Sequence, residues 1–229
     1  MRFYKAVDVR QALNGFALLL DGKPIKTPAG HALLSPTRAL AEAIAQEWRG
    51  QGERIVPATM PLAKSLNTGI DRVASSRDAI IDDLAKFADS DLLCYRTADP
   101  EELVQRQSAA WDPWLAWSEQ RYGARLKVVT GMTHIDQPPD ALDRLRRAIA
   151  AHDDHRLVAL HPGVTITGSA ILGLALVAKA MTADEAFAAA QVDEEYQAER
   201  WGRDAEAESV RARRLNDLRA ARRFIDLLD

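Results

Sequence analysis

At 229 residues, with 47% hydrophobic and 28% charged side chains, the chain has the composition of a soluble globular protein that holds one sizeable core or two modest ones. A net charge of −3 argues against general affinity for nucleic acid or anionic membrane. The single cysteine, Cys94, excludes an internal disulfide and any multi-cysteine zinc or iron–sulfur site, which makes a reducing compartment the expected one.

The first elements read as β. Phe3 to Val9 alternates apolar and polar residues, Asn14-Gly15 is a turn signal, and Phe16 to Leu20 is a strand. Asp21-Gly22 joins that strand to Lys23–Thr27, a strong hairpin signal, and His31–Leu34 is a candidate edge strand. Ser35-Pro36-Thr37 opens a helix to about Arg49, with Leu40, Ala41, Ile44, Ala45 and Trp48 on its apolar face. Gly50 and Gly52 end it, Ile55-Val56 is a candidate return to the sheet, and a domain boundary is expected near Ala58.

Helical patterns follow. Met60–Val73 reads as one helix, and Ser75-Ser76 as the cap of another from Arg77 to Ala88. Pro100–Tyr122 is helical with a restart at Asp112-Pro113, Asp as cap and Pro at the first position, and Gly123 closes it. Leu126–Val129 is a candidate short strand, and Pro138-Pro139-Asp140 begins a helix to about His152. Gly168–Met181 is a helix of small residues suited to close packing. Thr182-Ala183-Asp184-Glu185 is a capping box, and Ala205 to Leu228 is a last helix with arginines on its polar face. The expected fold class is α+β: a small N-terminal β-rich domain with one helix, residues 1–58, followed by a larger all-helical C-terminal domain, residues 59–229.

Chemistry-bearing motifs are scarce. Lys64-Ser65 lacks the glycines of a phosphate-binding loop, and Gly168-Ser169 is no nucleophile elbow. His152, His155 and His161, with Asp153 and Asp154, read as a polar helix end rather than a metal cluster. Cys94 lies between apolar neighbours and reads as buried and structural. Trp111, Trp114 and Trp117 share a stripe that reads as core, and the six arginines from Arg211 to Arg223 as an ion-paired helix. No cofactor, no metal and no catalytic residue is expected. The opening residues have no apolar signal core, and the longest uncharged run, Pro162–Ala178, is too short and too rich in small residues to span a bilayer, so no membrane insertion is expected.

The densest feature is Asp193-Glu194-Glu195-Tyr196-Gln197-Ala198-Glu199-Arg200-Trp201-Gly202. Helical period places Asp193, Gln197 and Trp201 on one face with Glu194 beside them, joining carboxylates to a large ring with an N–H donor. Such a face suits protein contact, although an acidic solvated helix with Trp201 in the core is the plainer expectation for the pattern.

Four segments taken in order carry a resemblance: Leu40–Gln51 (LAEAIAQEWRGQ), Asp89–Arg96 (DSDLLCYR), Trp111–Gly123 (WDPWLAWSEQRYG) and Val192–Gly202 (VDEEYQAERWG). Together with Arg2-Phe3-Tyr4-Lys5 and Leu20–Pro24, they resemble the ATP synthase F(1) complex assembly factor two family, chaperones of the alpha subunit. The resemblance covers nearly the whole chain and implies a β-rich N-terminal domain, a helical C-terminal domain and a non-enzymatic chaperone. It implies binding to the unassembled alpha subunit, covering the surface that later meets beta. The family's critical acidic position falls on Asp193-Glu194-Glu195, with Glu194 as the expected contact, Asp193 and Glu195 as its neighbours, and Gln197 and Trp201 flanking. Trp48, Cys94, Trp111, Asp112 and Pro113 match the pattern as structural residues, whereas Trp114 and Ala116 depart from it. The expected protein is a bacterial, cytoplasmic monomer, or a matrix protein if the chain is a processed organellar form. The competing reading is a small-molecule enzyme with an acidic interdomain cleft and the Asp193–Glu195 carboxylates as acid or base.

Overall fold

The computed structural model describes residues 2–229 and is α+β, with the strands concentrated at the N-terminal end and helices through the rest. Two compact units divide the chain. The first runs to Arg77 and adds Asp154–Ala159 and Ala220–Asp229; the second comprises Asp78–Asp153 and Leu160–Arg219.

In the first unit, β1 (Val7–Ala12) and β2 (Gly15–Leu20) are antiparallel, with Val7 opposite Leu20 and Ala12 opposite Gly15. β3 (Lys23–Pro24) and β4 (Leu34–Ser35) both pair antiparallel with β2. The Asp21-Gly22 loop has both residues at positive φ, 48° and 77°, which is what a two-residue turn between twisted strands requires. The first strand begins later than its alternation predicts. The N–H groups of Lys5 and Ala6 donate to the Asp21 carboxylate instead of to a strand, so Phe3–Ala6 lies outside the ladder.

Helix α1 (Arg38–Arg49) starts at Thr37, whose hydroxyl accepts from the N–H of Leu40, and it buries Leu40, Ala41, Ile44 and Ala45 completely. Its Thr37 hydroxyl also donates to the carbonyl of Leu227 at 2.5 Å, and Phe224 and Ile225 are buried in the same unit. Ile55-Val56 does not rejoin the sheet. The Val56 N–H is taken by the Gln51 side chain at 2.7 Å, and the chain passes into a 3-10 turn at Pro57–Thr59. The predicted helix from Met60 to Val73 is α2 (Pro61–Thr68) followed by a π-wound stretch, Gly69–Val73. Glu47 of α1 caps α2 by accepting from the N–H groups of Leu62 and Ala63, each at 2.9 Å. Helix α3 (Ala74–Asp89) is broken at Ser76 (φ −130°), where the serine pair predicts a cap.

The second unit is helical apart from β5 (Tyr95–Arg96) and β6 (Val129–Thr130), a short parallel pair. Helix α4 (Glu101–Tyr122) runs through Asp112-Pro113 without the predicted restart. Asp112 does not cap; its carboxylate accepts from Arg96 at 2.7 Å. Trp111, 1% exposed, donates its indole N–H to the carbonyl of Ala189 at 2.7 Å and pins the helix where Pro113 weakens it. Then follow α5 (Pro139–Ala150), α6 (Asp154–Thr167), α7 (Ala170–Val177), α8 (Ala183–Ala190), α9 (Val192–Trp201) and α10 (Ala205–Asp226). Helix α6 has no counterpart among the predicted elements, and Pro162 lies within it. The Thr182–Glu185 capping box forms as its motif predicts. Gln191, at φ −114°, then separates α8 from α9.

Helix α7 is buried along its whole length. Gly173 faces Gly163 and Val164 of α6 so closely that an added Cβ would stand 2.5 Å from Val164 Cγ2 and 2.9 Å from its backbone nitrogen. The buried Asp91 carboxylate sits at the N-terminus of α7, accepting from Ile171 at 3.2 Å and from Leu93 at 3.1 Å. Among the described residues no helix is long and apolar enough to cross a membrane.

Candidate partner-binding groove

Helix α9 opens with Asp193, Glu194 and Glu195 in its first turn, where carboxylates complement exposed N–H groups and the positive end of the helix dipole. One side of α9 is fastened to α4. There Tyr196 is buried beneath two guanidinium groups, Arg200 at 4.4 Å and Arg106 at 5.3 Å from its ring centre. Arg106 pairs with Glu102 and Glu199, each at 2.8 Å, and Arg200 pairs with Glu102 at 2.9 Å. Asp193 belongs to this side: its carboxylate accepts from the buried Gln107 amide at 2.7 Å, and Gln107 in turn takes the N–H of Thr97.

The chain turns at Gly202 (φ 92°), and Asp204 caps α10 by accepting from Ala207 at 2.8 Å. Glu195 holds this corner closed, because Arg211 and Arg203 both donate to its carboxylate and keep its pKa below the usual carboxylate range. Arg203 also reaches Glu208 at 3.0 Å. A groove of about 620 Å³ lies between the two helices, walled on the α9 side by Glu194, Gln197, Ala198 and Trp201. Glu206, Val210 and Arg214 are on its α10 side.

The structure therefore sorts the five residues singled out from sequence. Glu194, Gln197 and Trp201 line one groove; Asp193 is turned toward α4, and Glu195 is bound into the arginine corner. Trp201 is 77% exposed, so the core placement expected for it does not hold: Gly202 ends the helix there, and no neighbouring element covers the ring. Of the four carboxylates on α9, Asp193, Glu195 and Glu199 are engaged, whereas Glu194 has no hydrogen-bond or ion-pair partner among the described residues.

The α10 wall was not legible as part of a site. Its arginines read as an ion-paired surface, and Val210 carries no motif. The available signal was the short Gly202-Arg203-Asp204 link, since a tight turn between two helices makes them neighbours.

Burial raises the carboxylate of Asp91 to about 6 and that of Glu47 in the same direction, and both cap helices.

A family model described as ATP12 chaperone protein matches residues 1–119. The crystal structure of Atp12 from Paracoccus denitrificans is 42% identical and superposes with a TM-score of 0.96 over 100% of this chain and 98% of that one. The crystal structure of the Atu1473 protein from Agrobacterium tumefaciens is 45% identical, with a TM-score of 0.94 over 100% of this chain and 86% of that one. The mitochondrial protein atp12 of Schizosaccharomyces pombe is 23% identical over 213 residues, 88% of this chain and 73% of the relative. With more than half of its residues matched by the family model and its fold shared end to end with a member, the chain belongs to the ATP12 chaperone family, the assembly chaperones its sequence resembles.

Proposed function

We propose that the chain is an assembly chaperone of the ATP synthase F(1) head that binds the unassembled alpha subunit and shields its interface until the beta subunit replaces it. It acts in the cytoplasm as a monomer, without a cofactor and without binding nucleic acid. The observation that carries this reading is the exposed Glu194–Gln197–Trp201 stripe, a free carboxylate and a large uncovered ring on a helix fastened from behind. A free acceptor beside an aromatic anchor suits a partly polar contact that must form and later release. An orphan subunit exposes an apolar interface that drives aggregation, and a moderate temporary contact covers it without trapping it. Asp193 and Glu195 serve as positioning residues in this reading, one holding α9 to α4 and the other closing the α9–α10 corner.

The test is co-expression of the full chain with individual ATP synthase subunits, followed by pull-down. Alpha should be recovered and beta should not. Glu194→Lys should lose the complex while its circular dichroism stays that of the parent. Recovery of alpha by that variant at the parental level would remove the groove from the interface.

A further inference from the structure

The first unit carries two adjoining hollows of about 550 and 480 Å³ that share Pro28, Trp48 and Asn67 in their walls. The Nε1 of Trp48 and the Oδ1 of Asn67 are both buried in half-buried side chains that line these hollows, and neither has a hydrogen-bond partner among the described residues. Buried polar groups are nearly always paired, so a donor and an acceptor orphaned in one wall point to a complement supplied from outside the chain. That complement is an acceptor and a donor together, which is what the C=O and N–H of one residue present along one edge of an extended segment. Trp48 is not free to seek another partner: its ring stands edge-on to Tyr4 at 5.5 Å, and its carbonyl accepts the Tyr4 hydroxyl at 2.6 Å.

Apolar side chains contribute part of each wall, Ile25 and Leu33 in the first hollow and Ile55, Met60 and Ala63 in the second. Phe3, 72% exposed, stands at the first. The charges around them are unbalanced. Lys23, Lys26, Lys64 and Arg72 line the hollows and have no ion-pair partner among the described residues. The two carboxylates present are already engaged: Asp21 takes the N–H groups of Lys5 and Ala6, and Asp71 takes the Thr27 hydroxyl, the Ala29 N–H and His31.

We infer that this pair of hollows is a second docking groove, distinct from the α9–α10 groove, and that it takes an extended polypeptide segment in which apolar residues alternate with carboxylates. Successive side chains of an extended segment point to opposite sides. The apolar ones enter the hollows, the acidic ones meet the free lysines, and one residue of the segment accepts from Trp48 through its C=O and donates to Asn67 through its N–H.

A phage-displayed library of unconstrained random peptides, panned on the full chain, tests this. Selected peptides should carry the alternating acidic and apolar pattern. In fluorescence titrations of a synthetic selected peptide, Trp48→Phe and Asn67→Leu should each weaken binding about five-fold, the loss of one hydrogen bond. The surface double variant Lys26→Glu/Lys64→Glu should weaken it about ten-fold or more with an unchanged melting temperature, which keeps the test decisive if a core variant unfolds. Glu194→Lys should bind the peptide as the parent does. A library without enrichment, a basic or helical consensus, or equal binding by the lysine variant overturns the inference. Loss of the peptide in Glu194→Lys would place it in the other groove and overturn it too, without touching the proposal for alpha.

Discussion

Helices α7 and α9 belong to the same unit and have nearly the same length, eight and ten residues, yet their surroundings are opposite. Every residue of α7 is buried, whereas in α9 only Tyr196 is. Their sequences explain the difference. Ala170–Val177 has no polar side to offer water, so only the interior satisfies it; Val192–Trp201 is anchored through Tyr196, Arg200 and three of its carboxylates and leaves the Glu194, Gln197 and Trp201 side exposed. A chaperone needs both: a region that tolerates no change, so that another region can afford to stay uncommitted.

The largest effect is expected where α7 is tightest. Gly173→Ala places a methyl group against the Val164 backbone, so either the helices separate or the core strains. A destabilisation of about 3 kcal/mol is expected, measured by urea unfolding of the variant against the parent. A variant as stable as the parent would show that α7 and α6 are loosely packed after all, and the contrast with α9 would weaken.

Next comes the buried carboxylate at the start of α7. Burial raises Asp91 to about 6, well above an ordinary aspartate, so the folded chain favours its protonated form. Between about pH 4 and pH 6 the folded state holds a proton that the unfolded state has released, and stability therefore falls as pH rises through that window. The contribution from this one group is at most about 3 kcal/mol, fully present below pH 4 and gone above pH 6. Asp91→Asn cannot titrate, so the stability of the parent relative to this variant should decline from pH 4.5 to pH 7 in chemical denaturation. A rise instead would mean that the donors on Asp91, Leu93 and Ile171 among them, outweigh its desolvation.

These two positions also show what a sequence reveals and what it conceals. The Asp21-Gly22 hairpin, the helix opening at Ser35-Pro36-Thr37 and the Thr182–Glu185 box were legible because each depends on a few adjacent residues whose backbone demands are local. Pro113 misled, since a breaker in isolation is tolerated when a tertiary contact such as the Trp111 bond to Ala189 holds the helix beside it. At the candidate site, periodicity identified the residues of α9 that share a side but not the direction that side takes. Asp193 lies beside Glu194 in sequence, and only the position of Gln107, far away in the chain, draws it toward α4. The exposure of Trp201 was hidden for the same reason, because the course of the chain after Gly202 decides it.

Within α9, neighbouring carboxylates differ in how firmly they are held. Asp193→Ala leaves the amide of Gln107, a buried residue, without its acceptor and is expected to cost about 1–2 kcal/mol in urea unfolding. Glu195→Gln keeps the shape but weakens the pairing with Arg203 and Arg211, and its partial exposure limits the loss to under about 1 kcal/mol.

The smallest effect on stability is expected at Glu194, and this is where the comparison is sharpest. Its carboxylate touches no partner among the described residues, so Glu194→Gln should leave the free energy of unfolding within about 0.5 kcal/mol of the parent. Beyond the weak attraction of a first-turn carboxylate to the helix dipole, Glu194 holds nothing in the folded chain, and the larger consequence of removing it must appear in binding. Glu194→Gln removes charge without reversing it. If the contact with alpha is an ion pair, pull-down should weaken for Gln and fail for Lys; if it is a hydrogen bond accepted by the side-chain oxygen, Gln should hold alpha and Lys alone should lose it. A Gln variant that unfolds early would mean that Glu194 supports α9 itself, and the uncommitted side of that helix would then be part of its scaffold.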